Sequence, residues 1–341
     1  MSMALKLNWI GILGGVLFWM ILPLTGMAGP VQVKIATLAP DGSPWLQTFG
    51  LVNADLQKNT GNQIQLKIYP GGVLGDERDM LRKMYVGQIH GAVLTSSTLS
   101  MIFPEIKVFQ APFMFQTSDE VDYVLKKMDL FFRKGFNEKG FRIMGWSEGG
   151  FVRLMSITPV DTLEKIRKVK VWIWEDAPMA RVIFDEAGVS AIPLSVPDVL
   201  VGLQTGLVDI VYAPPSGAIA LQWFTKTKYM NDVPLIYLMG GIVIKAGFLE
   251  KLSPAQQDQL AASFNRHIDD LQAMVRKQDR EALQVMADYG VKTLTVSDDE
   301  VKKFKDLADR ALQKMKGSSF SQQTLNELKE HLAAYRKTIK P

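Results

Sequence analysis

Residues 169–215 read VKVWIWEDAPMARVIFDEAGVSAIPLSVPDVLVGLQTGLVDIVYAPP, and this stretch decides the fold. Val169, Val171 and Ile173 alternate with Lys170, Trp172 and Trp174, the two-residue period of a strand. Glu175-Asp176-Ala177-Pro178 breaks that strand and opens a helix, with Asp176 as the cap and acidic charge in the first turn. Val189–Pro193 predicts a second strand and Pro197–Thr205 a second helix stopped by Gly206. Leu207–Tyr212 predicts a third strand running into Ala213-Pro214-Pro215. Strand, helix, strand, helix, strand at this spacing is an open α/β sheet. Ligands of such sheets sit beyond the carboxyl ends of the strands, which here carry Trp172, Trp174, Glu175, Val196, Tyr212 and Ala213.

The same order occurs earlier in the chain. Val31–Thr37 alternates as a strand, and Leu38 to Pro44 is a loop feeding a helix from Trp45 to about Asn59. Ile64–Tyr69 is a strand, Asp76 caps a helix to Val86, and His90–Thr95 is a third strand ending in Ser96-Ser97-Thr98. Two α/β units in one chain predict two lobes with a cleft between them. Phe103–Phe115 has no clear period, whereas Ser118–Gly135 is helical, with Val121, Val124, Leu125, Met128 and Phe131 on one side. Phe141–Trp146 and Phe151–Ile157 are read as separate strands, the second crossing between lobes, and Ile242–Lys245 as a short extended piece. Ser253-Pro254 then starts a helix that nothing breaks before Tyr289. Its 36 residues, at ~1.5 Å each, reach ~54 Å, which predicts a strut behind both lobes. A strand at Val291–Val296 and helices through about Lys337 finish the chain. The division expected is residues 29–151 with 239–278 for the first lobe, and 152–238 with 279–341 for the second.

Composition permits this and excludes other classes. The 341 residues suffice for two cores; 47% are apolar and 22% charged, as in an ordinary globular protein. A net charge of +4 with interspersed signs makes no case for nucleic acid. Residues 1–28 carry Lys6, an apolar run from Leu7 to Leu22 and the small-residue site Gly26-Met27-Ala28, the three parts of a secretory signal peptide cleaved after Ala28. The run is shorter than the ~20 residues a spanning helix needs. Cleavage removes one base and no acid, leaving 38 basic against 35 acidic groups. The chain has no cysteine, so disulfides and thiolate metal sites are excluded. His90, His267 and His331 are far apart in sequence, no HExxH motif is present, and the chain after Ala28 has no GxSxG elbow, Walker loop or GxGxxG. The expectation is a binding protein: no enzyme, no metal and no cofactor.

Four segments carry a resemblance: YPGGVLGDER at 69–78, IFPEIKVFQAPFMF at 102–115, GVSAIPLSVPDVLVGLQTGLVD at 188–209 and the long late helix. Their order and spacing over 31–335 resemble the DctP-type solute-binding proteins of TRAP transporters. The resemblance implies a periplasmic binding protein-like fold, two α/β lobes joined by crossing strands with a long helix spanning both. It also implies a periplasmic location and delivery of a small solute to a small and a large permease subunit driven by an ion gradient, without catalysis. Relatives in that family read like LKGLKIRVP at the start of the second lobe, and the arginine there pairs with a substrate carboxylate. Here Leu163–Ile173 reads LEKIRKVKVWI, and Trp172 holds the arginine's place. A second arginine common in the crossing strand falls at Val152, with Arg153 one place along and so on the other face of a strand. A frequent asparagine falls at Ala213.

The expected ligand therefore has substantial apolar or aromatic surface, because a carboxylate buried without a partner is strongly disfavoured. Trp172 would stack on it, Tyr212 and Glu148 would be polar handles, and Val152, Val196 and Ala213 apolar wall. Glu77, Thr95, Ser96, Thr98 and Leu38 join the candidate site from the first lobe, and Glu175 from the second. Arg78 and Arg153 are the cations that could still serve an acid. Two alternatives stay open: an ordinary organic-acid receptor using one of those arginines, and a sensor that presents its ligand to a membrane receptor without transport.

Overall fold

The computed structural model describes residues 29–175, 177–315 and 320–339. The signal-peptide reading of residues 1–28 and the Asp176 side chain lie outside the described residues.

The first lobe starts with β1 (Val31–Ala36), α1 (Pro44–Asn59), β2 (Ile64–Tyr69), α2 (Glu77–Tyr85), β3 (Gly91–Thr95) and a single helical turn, α3 (Ser96–Leu99). β1 pairs in parallel with β2 in unbroken register from Val31 opposite Ile64 to Ala36 opposite Tyr69, and with β3 on its other side. A 3-10 segment, Pro104–Gln110, gives order to part of the aperiodic 103–115 stretch. α4 (Ser118–Glu138) follows, with Thr117 accepting from the Glu120 amide as its cap. Val121, Val124 and Met128 are buried as expected, and only at the next turn does the stripe depart, with Phe132 in the core and Phe131 partly exposed.

β4 (Phe141–Ser156) is one 16-residue strand where two were expected. It pairs antiparallel with β9 (Ile236–Lys245) from Phe141 to Val152 and with β7 (Ile210–Ala213) from Arg153 to Ser156, so this strand runs through both lobes. Register shifts at Ile143/Gly145 and Glu148/Gly150 are bulges. They absorb the glycines that interrupt the alternation in sequence.

The second lobe contains α5 (Leu163–Ile166), β5 (Val171–Trp174), α6 (Pro178–Ala187), β6 (Ala191–Leu194), α7 (Val199–Gln204), β7 (Ile210–Ala213) and α8 (Pro215–Ala220). α6 starts on Pro178 with Ala177, not Asp176, at the cap position. β5 lies between β6 and β7, both parallel to it. This repeats the arrangement of β1 between β2 and β3.

The chain then returns through β8 (Tyr229–Asn231) and the ten-residue β9 (Ile236–Lys245), much longer than the piece expected, to the short α9 (Ala246–Leu249). α10 (Pro254–Asp288) begins at a capping box between Ser253 and Gln256 and packs on α1, β4 and α8, spanning both lobes. β10 (Lys292–Leu294) pairs with β8, and α11 (Asp298–Lys314) packs on α6. α12 (Gln322–Ile339) returns to α4 in the first lobe, where Arg336 forks onto the buried Glu120 at 2.7 and 3.0 Å. The expected division at residue 279 had put this helix in the second lobe. Among the described residues, the sheet order is β2-β1-β3-β9-β4-β7-β5-β6, with β8 pairing to β4 and β10 to the other side of β8. The described helices include none long and apolar enough to cross a membrane.

Candidate functional site

A cavity of about 410 Å³ lies between the lobes, at the carboxyl ends of β1, β3, β5 and β7. Leu38, Glu77, Thr95 and Ser97 face it from the first lobe. Glu148 and Val152 face it from the crossing strand, and Trp172, Trp174, Val196, Tyr212 and Ala213 from the second lobe. Among the described residues its wall contains no lysine or arginine.

Trp172 is only 2% exposed. Its indole Nε1 donates to the Leu194 carbonyl at 3.0 Å, one face stacks on Tyr212 at 4.8 Å, and Trp223 meets it edge-on at 5.1 Å. The indole is thus a wall of the cavity held in an aromatic cluster, with one ring face already covered. The Tyr212 hydroxyl accepts from the Trp174 amide at 3.3 Å, and burial pushes its pKa up to about 12.

Glu77 is 3% exposed, with its Oε2 accepting from the Thr95 amide and hydroxyl, both at 2.9 Å. Burial raises its pKa to about 8, outweighing the hydrogen bonds from Thr98 and Thr95 that favour the charged form. Asp76, the cap of α2, reaches across the cleft. Its Oδ1 accepts from the Glu77 amide at 2.8 Å, and its Oδ2 from Trp174 Nε1 at 2.8 Å and the Val196 amide at 3.1 Å.

Glu148 is at the bulge of β4 and is already engaged. Arg276 of α10 forks onto it at 2.6 and 2.9 Å, the Tyr237 hydroxyl donates to it, and the same guanidinium forks onto Asp122 at 2.9 and 2.6 Å. Its expected role as a handle for ligand meets this competition. Burial, with the adjoining Glu148 charge, holds the Tyr237 hydroxyl proton firmly.

Five of the expected candidates do not line the cavity. Arg78 and Glu175 are exposed, on the outer sides of a helix start and a turn. Ser96 and Thr98 are buried, but the chain turns helical after Thr95, so the strand alternation ends there and Ser97 is the residue presented. Arg153 points to the opposite face of β4 from Val152, where its Nη1 donates to the carbonyls of Asn231 and Asp232.

Sequence reasoning missed Trp45, Phe113, Leu238 and Gln278, which also face the cavity, and the Arg276 fork behind it. It also missed a branch into the second lobe, lined by Met179, Ala180, Ile183, Phe184 and Ala187 of α6. Their spacing was legible as a helical stripe, which ordinarily means core. Among the described residues, no cluster of metal-ligating side chains is present.

The model of the bacterial extracellular solute-binding proteins, family 7 (DctP), matches residues 35–318. The 2,3-diketo-L-gulonate-binding periplasmic protein YiaO of Escherichia coli is 23% identical over 242 residues, covering 70% of this chain and 74% of YiaO. The crystal structure of the sugar acid binding protein DctPAm from Advenella mimigardefordensis with galactonate superposes with a TM-score of 0.84 at 18% identity, covering 90% of this chain and 99% of that one. A TRAP periplasmic solute-binding protein from Shewanella oneidensis with bound succinate gives 0.83 at 15% identity, covering 89% and 100%. These neighbours have the same two-lobed fold and are receptors, not enzymes. With the family model matching from β1 to the end of α11, the chain belongs to the bacterial extracellular solute-binding proteins of family 7, the DctP family.

Proposed function

We propose that this protein is a periplasmic receptor, exported through a signal peptide cleaved after Ala28. Its lobes close over a small solute with substantial apolar or aromatic surface, which it delivers to the small and large membrane subunits of a TRAP-type transporter. Family membership supports receptor and transport. The ligand class rests on one observation: among the described residues, the interlobe wall carries two carboxyl groups, many apolar and aromatic side chains, and no cation. A bidentate arginine contributes charge-assisted bonds to a carboxylate. An acid entering this cavity would lose hydration without gaining such a partner.

The competing reading is an organic-acid receptor, favoured by the galactonate and succinate of the structural neighbours. It has to recruit Arg78 or Arg153, and neither lines the cavity. Native mass spectrometry of the gently extracted protein, followed by titration calorimetry against galactonate, succinate and 2-phenylethanol, separates the two. The expected result is a co-purifying apolar solute and binding of the aromatic alcohol alone. Tight binding of either acid would overturn the ligand class. Genes for a large multi-span permease and a small membrane subunit beside this one are expected for transport, and their absence would favour a ligand-presenting sensor.

A further inference from the structure

The cavity has two ends of different chemistry. In the cleft it is bordered by Glu77, Thr95 and Ser97 from the first lobe. From there a branch passes under α6 into the second lobe. One side of it is the α6 stripe of Met179, Ala180, Ile183, Phe184 and Ala187. Leu163, Ile166 and Val189, with Phe304, Leu307 and Ala308 of α11, also line it, and α11 packs on both α6 and α5. All of these side chains are apolar. Ile183 and Phe184 are only partly buried although they lie on the inward face of α6, because that face borders the cavity.

A hydroxylated solute placed in this branch would leave its polar groups without partners. A hydrocarbon loses nothing there and gains with every methylene removed from water.

We infer that the solute is a single-chain amphiphile, with an uncharged hydroxyl or amide head beside Glu77, Thr95 and Ser97 and a hydrocarbon tail running beneath α6 to α11. The inference rests on the receptor reading above and deepens it: the polar groups of the first lobe read the head, and the length of the branch sets the length of the tail. A carboxylate head would lie against the Glu77 carboxyl with no cation in the described wall, so an alkanol is preferred to the alkanoate of equal length.

The test is a length series of straight-chain 1-alkanols from six to twelve carbons, the matching alkanoates, and 2-phenylethanol, each titrated into the full-length mature protein by calorimetry. Affinity for the alkanols should rise about fourfold per methylene and level off when the tail reaches α11. The alkanoates should bind at least tenfold more weakly. Ala180→Phe and Ala308→Trp, with circular dichroism as the check on folding, should move the plateau to shorter chains. Binding of 2-phenylethanol with alkanol affinities independent of length would overturn the tail while leaving the receptor reading intact. So would a folded Ala308→Trp protein that binds dodecanol as the wild type does. Failure of both probe classes to bind would overturn the apolar-ligand reading itself.

Discussion

Asp76 and Trp174 stand on opposite lobes and are joined across the cleft by a 2.8 Å hydrogen bond from the indole Nε1 to the carboxylate Oδ2. The same oxygen accepts from the Val196 amide, and the other from Glu77 at the start of α2. One side chain therefore caps a helix of the first lobe and holds two strand ends of the second. Asp76→Ala should lose a helix cap at about 1 kcal/mol, lowering the melting temperature by about 2 °C, and should also weaken the lobe contact. Small-angle scattering should show a larger radius of gyration for the variant than for the wild type, and ligand should compact both. An identical envelope in variant and wild type would count against the latch.

Glu77 makes stability depend on pH in a defined direction. Its carboxyl is pushed from 4.5 to about 8 by burial, so between those values the folded protein holds a proton that the unfolded chain has released. Stability from this group is therefore full below pH 4.5 and falls as pH rises through about 8, at no more than about 1.4 kcal/mol per pH unit. Urea midpoints of the wild type and Glu77→Gln should diverge between pH 5 and 8, with the variant gaining relative stability at the alkaline end. Parallel pH profiles would refute this.

Arg276 neutralises a buried carboxylate at the lobe crossing. Glu148 is 7% exposed, and Arg276→Met would leave it without its charged partner, a loss of about 3–5 kcal/mol by the usual behaviour of buried pairs. Adding Glu148→Gln should recover much of that in a chemical denaturation cycle. If the double variant is as unstable as the single one, the pairing is not the source of the loss. The Asp122 arm of the fork is half exposed, so Asp122→Asn should cost below about 1 kcal/mol.

Gly240 sets the approach of β9 to β3. A Cβ there would press on the Leu94 carbonyl and lie 2.9 Å from the Thr95 Cα. Gly240→Ala should therefore destabilise the protein by about 1–3 kcal/mol and displace Thr95 from Glu77. A thermal scan is the check for stability; a variant melting like the wild type would show that the sheet yields without cost.

Gly240 also explains why part of the fold was not legible in the sequence. The parallel units β1–β3 and β5–β7 follow from strict alternation and turn residues, and α10 from its cap and its unbroken period. In the sequence β9 looks short because Met239-Gly240-Gly241 interrupts the pattern, yet those glycines are where a neighbouring backbone comes close. In the sequence β4 looks like two strands because Ser147-Glu148-Gly149-Gly150 resembles a turn, whereas pairing with β9 carries the chain through it as a bulge. At the site, the strand ends carry Trp172, Tyr212 and Ala213, whereas Val152 is reached only through the family resemblance, at the place of the crossing-strand arginine; all four line the cavity. The Arg276–Glu148 fork joins residues 128 apart in sequence, and no local pattern announces it. The branch under α6 was hidden for a different reason: a helix stripe facing a cavity has the same periodicity as one facing a packed core.

β4 and β9 remain hydrogen-bonded to each other as they pass between the lobes. The halves of the molecule are thus connected by a ribbon, not by two independent cords, and a ribbon deforms by twisting more readily than by folding. Its interruption at Glu148–Gly150 is the compliant point, and Arg276 rivets that point to the long helix behind it. Any parting of the jaws would then turn on torsion at a single pinned joint, and because Glu148 and Gly149 also line the cavity, that joint borders the space the solute would fill.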